Sequence, residues 1–155
     1  MKVIFVCLGN ICRSPMAEAM FREMVASAGL SSQIQVDSAA TSTYELGSPP
    51  DSRTVKELAK HGLPATGMIA RQLDETDFNS ADLILVMDKN NLRDAKRMAP
   101  DKKAADKVKL VYSLTPDKED HVVADPWYTG DFSTTYADLS EALPHWLEYL
   151  KKKLK

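Results

Sequence analysis

The sequence predicts an open α/β fold: a single domain with a four-stranded parallel sheet, helices on both faces, and a phosphate-binding loop after strand 1. Three observations predict it. Short apolar runs alternate along the chain with stretches of helical periodicity, the pattern of β-α-β units around a parallel sheet. The first run, Lys2 to Val6, leads directly into a polar loop that opens a helix. And 155 residues, 44% hydrophobic and 27% charged, suit one globular domain spanning 1–155 with one core.

In chain order, Lys2-Val-Ile-Phe-Val6 reads as a buried strand and Cys7 to Pro15 as the polar loop, with Ser14 as N-cap and Pro15 at the first helical position. Met16 to Val25 has helical spacing, and Gly29 ends it. Gln33 to Val36 alternates polar and apolar, a strand ending at Asp37-Ser38; Ala39 to Asp51 is a loop rich in small and turn residues. A helix from about Asp51 to His61 places Val55, Leu58 and Ala59 on one face, with Gly62 as terminator and His61 as a dipole partner rather than a catalyst. Asp82 to Met87 is the third strand, Lys89 to Met98 the helix after it, and Val108 to Tyr112 the fourth strand. Asp101-Lys-Lys103 and Asp117 to Asp120 read as solvated, charge-rich loops. The last element, Ser133 to Lys155, carries the stripe Tyr136, Leu139, Leu143, Leu147, Leu150, and Pro144 is expected to kink or split it.

The chemistry concentrates in Cys7-Leu8-Gly9-Asn10-Ile11-Cys12-Arg13-Ser14. A loop feeding a helix N-terminus directs unpaired N–H groups and the positive end of the dipole at one spot, which favours an anion. Six residue steps span about 20 Å when extended, so bringing Cys7 and Arg13 together requires the loop to curl. A curled loop turns successive N–H groups inward as a nest for phosphate oxygens. Arg13 adds a planar fork for two of those oxygens. Cys7 then lies beneath the phosphorus as nucleophile, its thiolate favoured by the helix end and the guanidinium. Ser14 is placed to donate to the sulfur, and Asn10 suits a left-handed turn. A bare C-x5-R is common by chance; the preceding strand, Gly9-Asn10 and Ser-Pro at the helix start give it meaning.

Composition narrows the alternatives. A formal net charge of −2 gives no electrostatic case for a nucleic-acid partner, and Lys151-Lys-Lys153 reads as a helix end favoured by the dipole. No run approaches membrane-spanning length and Val3 to Leu8 is too short for a signal peptide, so a cytoplasmic protein is expected. The two cysteines, Cys7 and Cys12, both fall in the loop. They are either a reversible redox pair or a nucleophile beside a small packed side chain. No His/Cys spacing suggests a metal site, and no cofactor is required.

Cys7-Leu-Gly-Asn-Ile-Cys-Arg-Ser-Pro-Met-Ala-Glu18 resembles the signature of the low-molecular-weight protein tyrosine phosphatases. The similarity continues through Asp37-Ser38, Pro50-Asp51-x-Arg53, His61-Gly62, Ala70-Arg71-Gln72, Met87-Asp88 and Asn91-Leu-Arg-Asp94 to Asp125-Pro126-Trp127-Tyr128. The resemblance implies hydrolysis of phosphotyrosine in protein substrates through a phosphocysteine, with Cys7, Arg13 and Asp125 catalytic. On its own, Ala124-Asp-Pro-Trp-Tyr128 is an Asp-Pro turn. With the first motif, Asp125 is the expected proton donor, and Trp127 and Tyr128 the expected walls for an aromatic leaving group. Tyr44 and Glu45 fall in a loop beyond a strand's carboxyl end and are candidates for the same pocket. The resemblance also favours the redox role for Cys7 and Cys12. One departure is Met68, where many relatives carry a His that supports the loop Asn. A monomer is expected.

Three rival functions are weighed. An arsenate reductase of this fold needs further cysteines, and none follows Cys12. A protein arginine phosphatase of similar sequence typically carries Thr where Ile11 stands. A non-catalytic phosphate-binding or redox-sensing module has no use for Asp125.

Overall fold

Four parallel strands carry the fold in the order β2-β1-β3-β4: β1 Lys2–Cys7, β2 Gln35–Ala40, β3 Leu83–Val86 and β4 Val108–Leu110. The structure is a computed structural model that describes all residues, Met1–Lys155. Alternation along β1 sends Val3, Phe5 and Cys7 to one face and Ile4 and Val6 to the other. Both faces are covered, which is why the strand reads as a continuous apolar run.

On the first face lie α1 (Arg13–Ser27), α2 (Ser52–Lys60) and α7 (Phe132–Lys153), contributing Met16, Phe21, Leu58, Leu143 and Trp146. On the second lie α3 (Glu75–Ser80), α4 (Lys89–Met98) and α5 (Lys102–Ala105), contributing Phe78, Ala95 and Ala104. The predicted four-stranded parallel sheet with helices on both faces is therefore present. Because β2 and β3 flank β1 on opposite sides, the loop after β1 opens at the point where the strand order reverses, the usual ligand crevice of such sheets.

Several expected boundaries move, each for a local reason. Strand β2 starts two residues later than predicted and runs through Ala40, because Asp37 to Ala40 pair with Ile4 to Cys7 and Ala40 also bridges to Gln72. Helix α2 buries Thr54, Glu57 and Leu58, leaving Val55 and Ala59 exposed; Thr54 Oγ1 donates to the Ile11 carbonyl, which sets the rotation. The fourth strand stops at Leu110 and tightens into a 3₁₀ turn over Val111–Leu114. Asp101 caps α5 rather than lying in a featureless loop, and α3 and a short α6 (Pro126–Thr129) were not expected. Helix α7 runs unbroken through Pro144 rather than splitting there.

Candidate active site

The loop between β1 and α1 is fixed by its carbonyls, not its amides. Thr41 N–H donates to the Cys7 carbonyl, Ser42 to that of Leu8 through both N–H and Oγ, Asp51 N–H and Thr54 Oγ1 to that of Ile11, and Met16 N–H to that of Cys12. The N–H groups of Leu8, Gly9, Asn10, Ile11 and Cys12 donate to no backbone carbonyl. These five successive amides have no backbone partner, while the carbonyls of Cys7, Leu8, Ile11 and Cys12 are satisfied, which leaves them available as the nest expected from the sequence. The left-handed residue that lets the chain curl is Asn10, at φ 59°, and Gly9 is not in that region. A Cβ at Gly9 would lie 3.4 Å from Glu45 Cγ, an ordinary van der Waals contact.

Helix α1 begins two residues earlier than predicted. Its N-cap is Cys12, with Arg13 and Ser14 already helical and Pro15 third rather than first. Ser14 does not cap, because its hydroxyl is engaged inward: Oγ accepts from Asn10 Nδ2 at 2.8 Å and lies 3.0 Å from Cys7 Sγ. Having accepted from Asn10, Ser14 keeps its one hydrogen for the sulfur.

Arg13 is 2% exposed. Nη1 donates to Asp88 Oδ2 at 2.6 Å and to the Val123 carbonyl at 3.0 Å, Nη2 to Asp125 Oδ2 at 3.3 Å, and buried Nε has no partner. Burial works against its charge, but Cys7, Asp88 and Asp125 outweigh that and hold the guanidinium protonated. Burial, with Asp51 and Cys7 beside it, instead pushes the Cys12 thiol up to about 12. Cys12 is thus a neutral thiol at neutral pH.

Cys7, Leu8, Gly9, Ile11, Cys12, Arg13, Tyr44, Glu45, Asp125, Trp127 and Tyr128 line one cavity of about 170 Å³. The side chains of Asn10 and Ser14 do not line it; they brace it from behind. Asp125 is the N-cap of α6, its Oδ1 accepting from Trp127 N–H at 3.1 Å, so one short helix positions both the carboxylate and the aromatic wall. Trp127 is held further by Arg53, whose guanidinium carbon lies 5.5 Å from its ring centre while its fork binds Asp51.

Sequence reasoning missed the groups that hold these in place. Asp88, which anchors Arg13, looks in sequence like a capping-box residue and is one, accepting from Asn91 N–H. Ser38 and Arg71 support Asn10, through Ser38 Oγ at 2.9 Å and the Arg71 N–H at 3.2 Å. They supply the support that the Met68 substitution put in question. His61 is no part of the site: it pairs with Glu57 and stacks on Tyr136 at 3.5 Å.

A parallel α/β sheet whose first loop brings a thiol, unpaired amides and a buried guanidinium to one cavity with a carboxylate defines a class, the cysteine-dependent phosphoester hydrolases. The family model for "Low molecular weight phosphotyrosine protein phosphatase" matches residues 2–155. The human protein of that name is 47% identical over 137 residues, 86% of this chain and 85% of the relative. Among solved structures, YfkJ from Bacillus subtilis superposes with a TM-score of 0.95 at 37% identity, covering 100% of this chain and 97% of that one. A Drosophila arginine phosphatase superposes with a TM-score of 0.89 at 33% identity, covering 97% and 98%. The chain belongs to the low molecular weight phosphotyrosine protein phosphatase family.

Proposed function

We propose that this protein hydrolyses phosphotyrosine in protein substrates in two steps through a phosphocysteine. The thiolate of Cys7 attacks phosphorus in line, and the bond from phosphorus to the phenolic oxygen breaks. Asp125, protonated, gives its proton to that oxygen, so the leaving group departs as a neutral phenol. Water then attacks the phosphocysteine, Asp125 takes its proton, and inorganic phosphate and the Cys7 thiolate are released. Ser14 donates to the sulfur at both its charged stages.

The observation that carries this reading is the division of labour on Arg13. Nη1 is committed to Asp88 and Val123, so the Nε–Nη2 edge is the one that remains for two phosphoryl oxygens. Together with the amides of Leu8 to Cys12 it offers donors to the equatorial oxygens, which carry the charge of the transition state. Phosphoryl oxygens arriving at Nη2 replace Asp125 there, freeing its carboxyl for the leaving group.

Phosphotyrosine is favoured over phosphoarginine by the walls of the cavity. Ile11, Tyr44, Trp127 and Tyr128 offer apolar and aromatic surface to a phenol ring, and Ile11 offers no hydrogen bond to a guanidinium. Turnover of phosphotyrosine, phosphoserine and phosphoarginine peptides decides it: phosphotyrosine is expected to be hydrolysed fastest, and preferential hydrolysis of phosphoarginine overturns the assignment. Cys7 and Cys12 are both free and buried, and peroxide is expected to join them in a disulfide that shields Cys7 from further oxidation. Absence of that crosslink by mass spectrometry after peroxide treatment removes the redox role.

A further inference from the structure

The chain has six arginines, and five of them pair with an aspartate or glutamate of the same chain. Arg97 alone does not. It is exposed near the end of α4 and lines a groove of about 450 Å³ between that helix and the loop after β2. Leu8 and Tyr44 belong both to this groove and to the cavity over Cys7, so the groove continues the mouth of the site past Tyr44. Asp94 is the one acidic side chain lining it, and its Oδ1 is already held by Arg93 Nε at 3.1 Å. The opposite side of the mouth offers no free cation: Arg53, beside Trp127, has its fork on Asp51.

We propose that this groove takes the residues flanking phosphotyrosine in the substrate protein, and that Arg97 selects an acidic side chain among them. The proposal rests on the phosphotyrosine reading and adds a preference for what surrounds the phosphotyrosine. With its phosphate on the nest, a phosphotyrosine sends its ring along the cavity and its backbone out at the rim, where Tyr44 is 78% exposed. A chain leaving over Tyr44 enters the groove. There a carboxylate meets a guanidinium with no internal partner, so the new pair forms without breaking an old one. A basic side chain meets an uncompensated like charge instead. The surrounding surface has the same sign: from Lys89 to Lys109 eight basic residues stand against three acidic ones, in a chain of formal net charge −2. Because Arg97 is exposed, the pair is weak, screened by salt, and suited to ranking substrates rather than to holding them.

The test uses phosphotyrosine peptides in which a single Glu, Ala or Lys is moved through the flanking positions, at low ionic strength. What is read is the ratio of kcat/KM for the Glu peptide to that for the Ala peptide, taken within one enzyme, so that any loss of folded protein cancels. In the parent this ratio is expected to reach about three- to fivefold at the favoured position, the scale of one exposed ion pair. Arg97→Ala should bring it close to one, and Arg97→Glu should turn the preference toward the Lys peptide. Lys96→Ala removes the same charge from the same helix outside the groove and should keep the parent ratio. A flat ratio in a parent that hydrolyses the peptides well overturns the groove and leaves the phosphotyrosine reading standing. A preference that survives Arg97→Ala, or one that Lys96→Ala erases equally, also overturns it, the latter by assigning the effect to the diffuse field of α4. A parent that turns over phenyl phosphate but none of the phosphotyrosine peptides overturns the reading beneath the proposal, and the groove with it.

Discussion

At the floor of the pocket Cys7, Asn10, Arg13 and Ser14 are all buried, and their side chains are tied to one another or to Ser38, Asp88 and Val123. At the rim, Tyr44 and Tyr128 are each 78% exposed and Trp127 51%, with Trp127 steadied only by Arg53 and the α6 backbone. Polar groups out of water must be paired with defined geometry, whereas a solvated aromatic ring is free to turn. Floor and rim thus answer to different demands. The buried floor is held to one arrangement, while the exposed rim is left adaptable.

Breaking the floor should cost most. Cys7→Ser is expected to lower turnover of an aryl phosphate by about 10⁴-fold or more, since no other group can form the phosphoenzyme; activity near the parent level would reject the mechanism. Arg13→Lys keeps the charge but loses the fork and its anchors, and should reduce kcat/KM by about 10²–10³-fold. Asp125→Ala, at the boundary between floor and rim, should slow phenyl phosphate by about 10²-fold and a nitrophenyl ester far less, because a better leaving group needs less protonation. Equal losses on both esters would deny Asp125 the acid role.

The rim should respond weakly and in a different parameter. Trp127→Ala or Tyr44→Ala is expected to raise KM for phosphotyrosine peptides about three- to tenfold with kcat nearly constant, the scale of one aromatic contact. A collapse of kcat instead would erase the distinction between the two regions. Smallest of all is the support beneath Trp127. Asp51 caps α2 and holds Arg53, and Asp51→Ala should cost about 1 kcal/mol of stability by thermal unfolding. Hydrogen bonding from Arg53 holds the Asp51 carboxyl below its ordinary range, against the effect of burial. Because the folded value is depressed, its contribution is fully present above the unfolded carboxylate range and is lost as pH falls through the folded value. The parent and Asp51→Ala should therefore converge in Tm under strongly acidic conditions.

What the sequence disclosed follows the same division. Cys7, Arg13 and Ser14 lie within seven positions of each other, so strand, loop and helix signals place them without knowledge of the rest of the fold. Asp125 became legible only beside that motif, since an Asp-Pro pair alone is a turn. Asp88 and Ser38 were not legible as site residues, because each already has an ordinary local explanation: a cap and a strand end. Their second role arises from pairings 75 and 28 residues apart, which only the strand order β2-β1-β3 creates. Ser14 shows the converse error: its local promise as a cap was overridden by two inward partners.

The three anchors of Arg13 are separated from it by 75, 110 and 112 residues. A chain emerging during synthesis thus makes its nucleophile well before its guanidinium clamp, which is complete only when the segment around Val123 and Asp125 has arrived. Until then the thiol has no fully formed partner with which to act, so the reactivity of the first loop depends on a segment more than a hundred residues further along the chain.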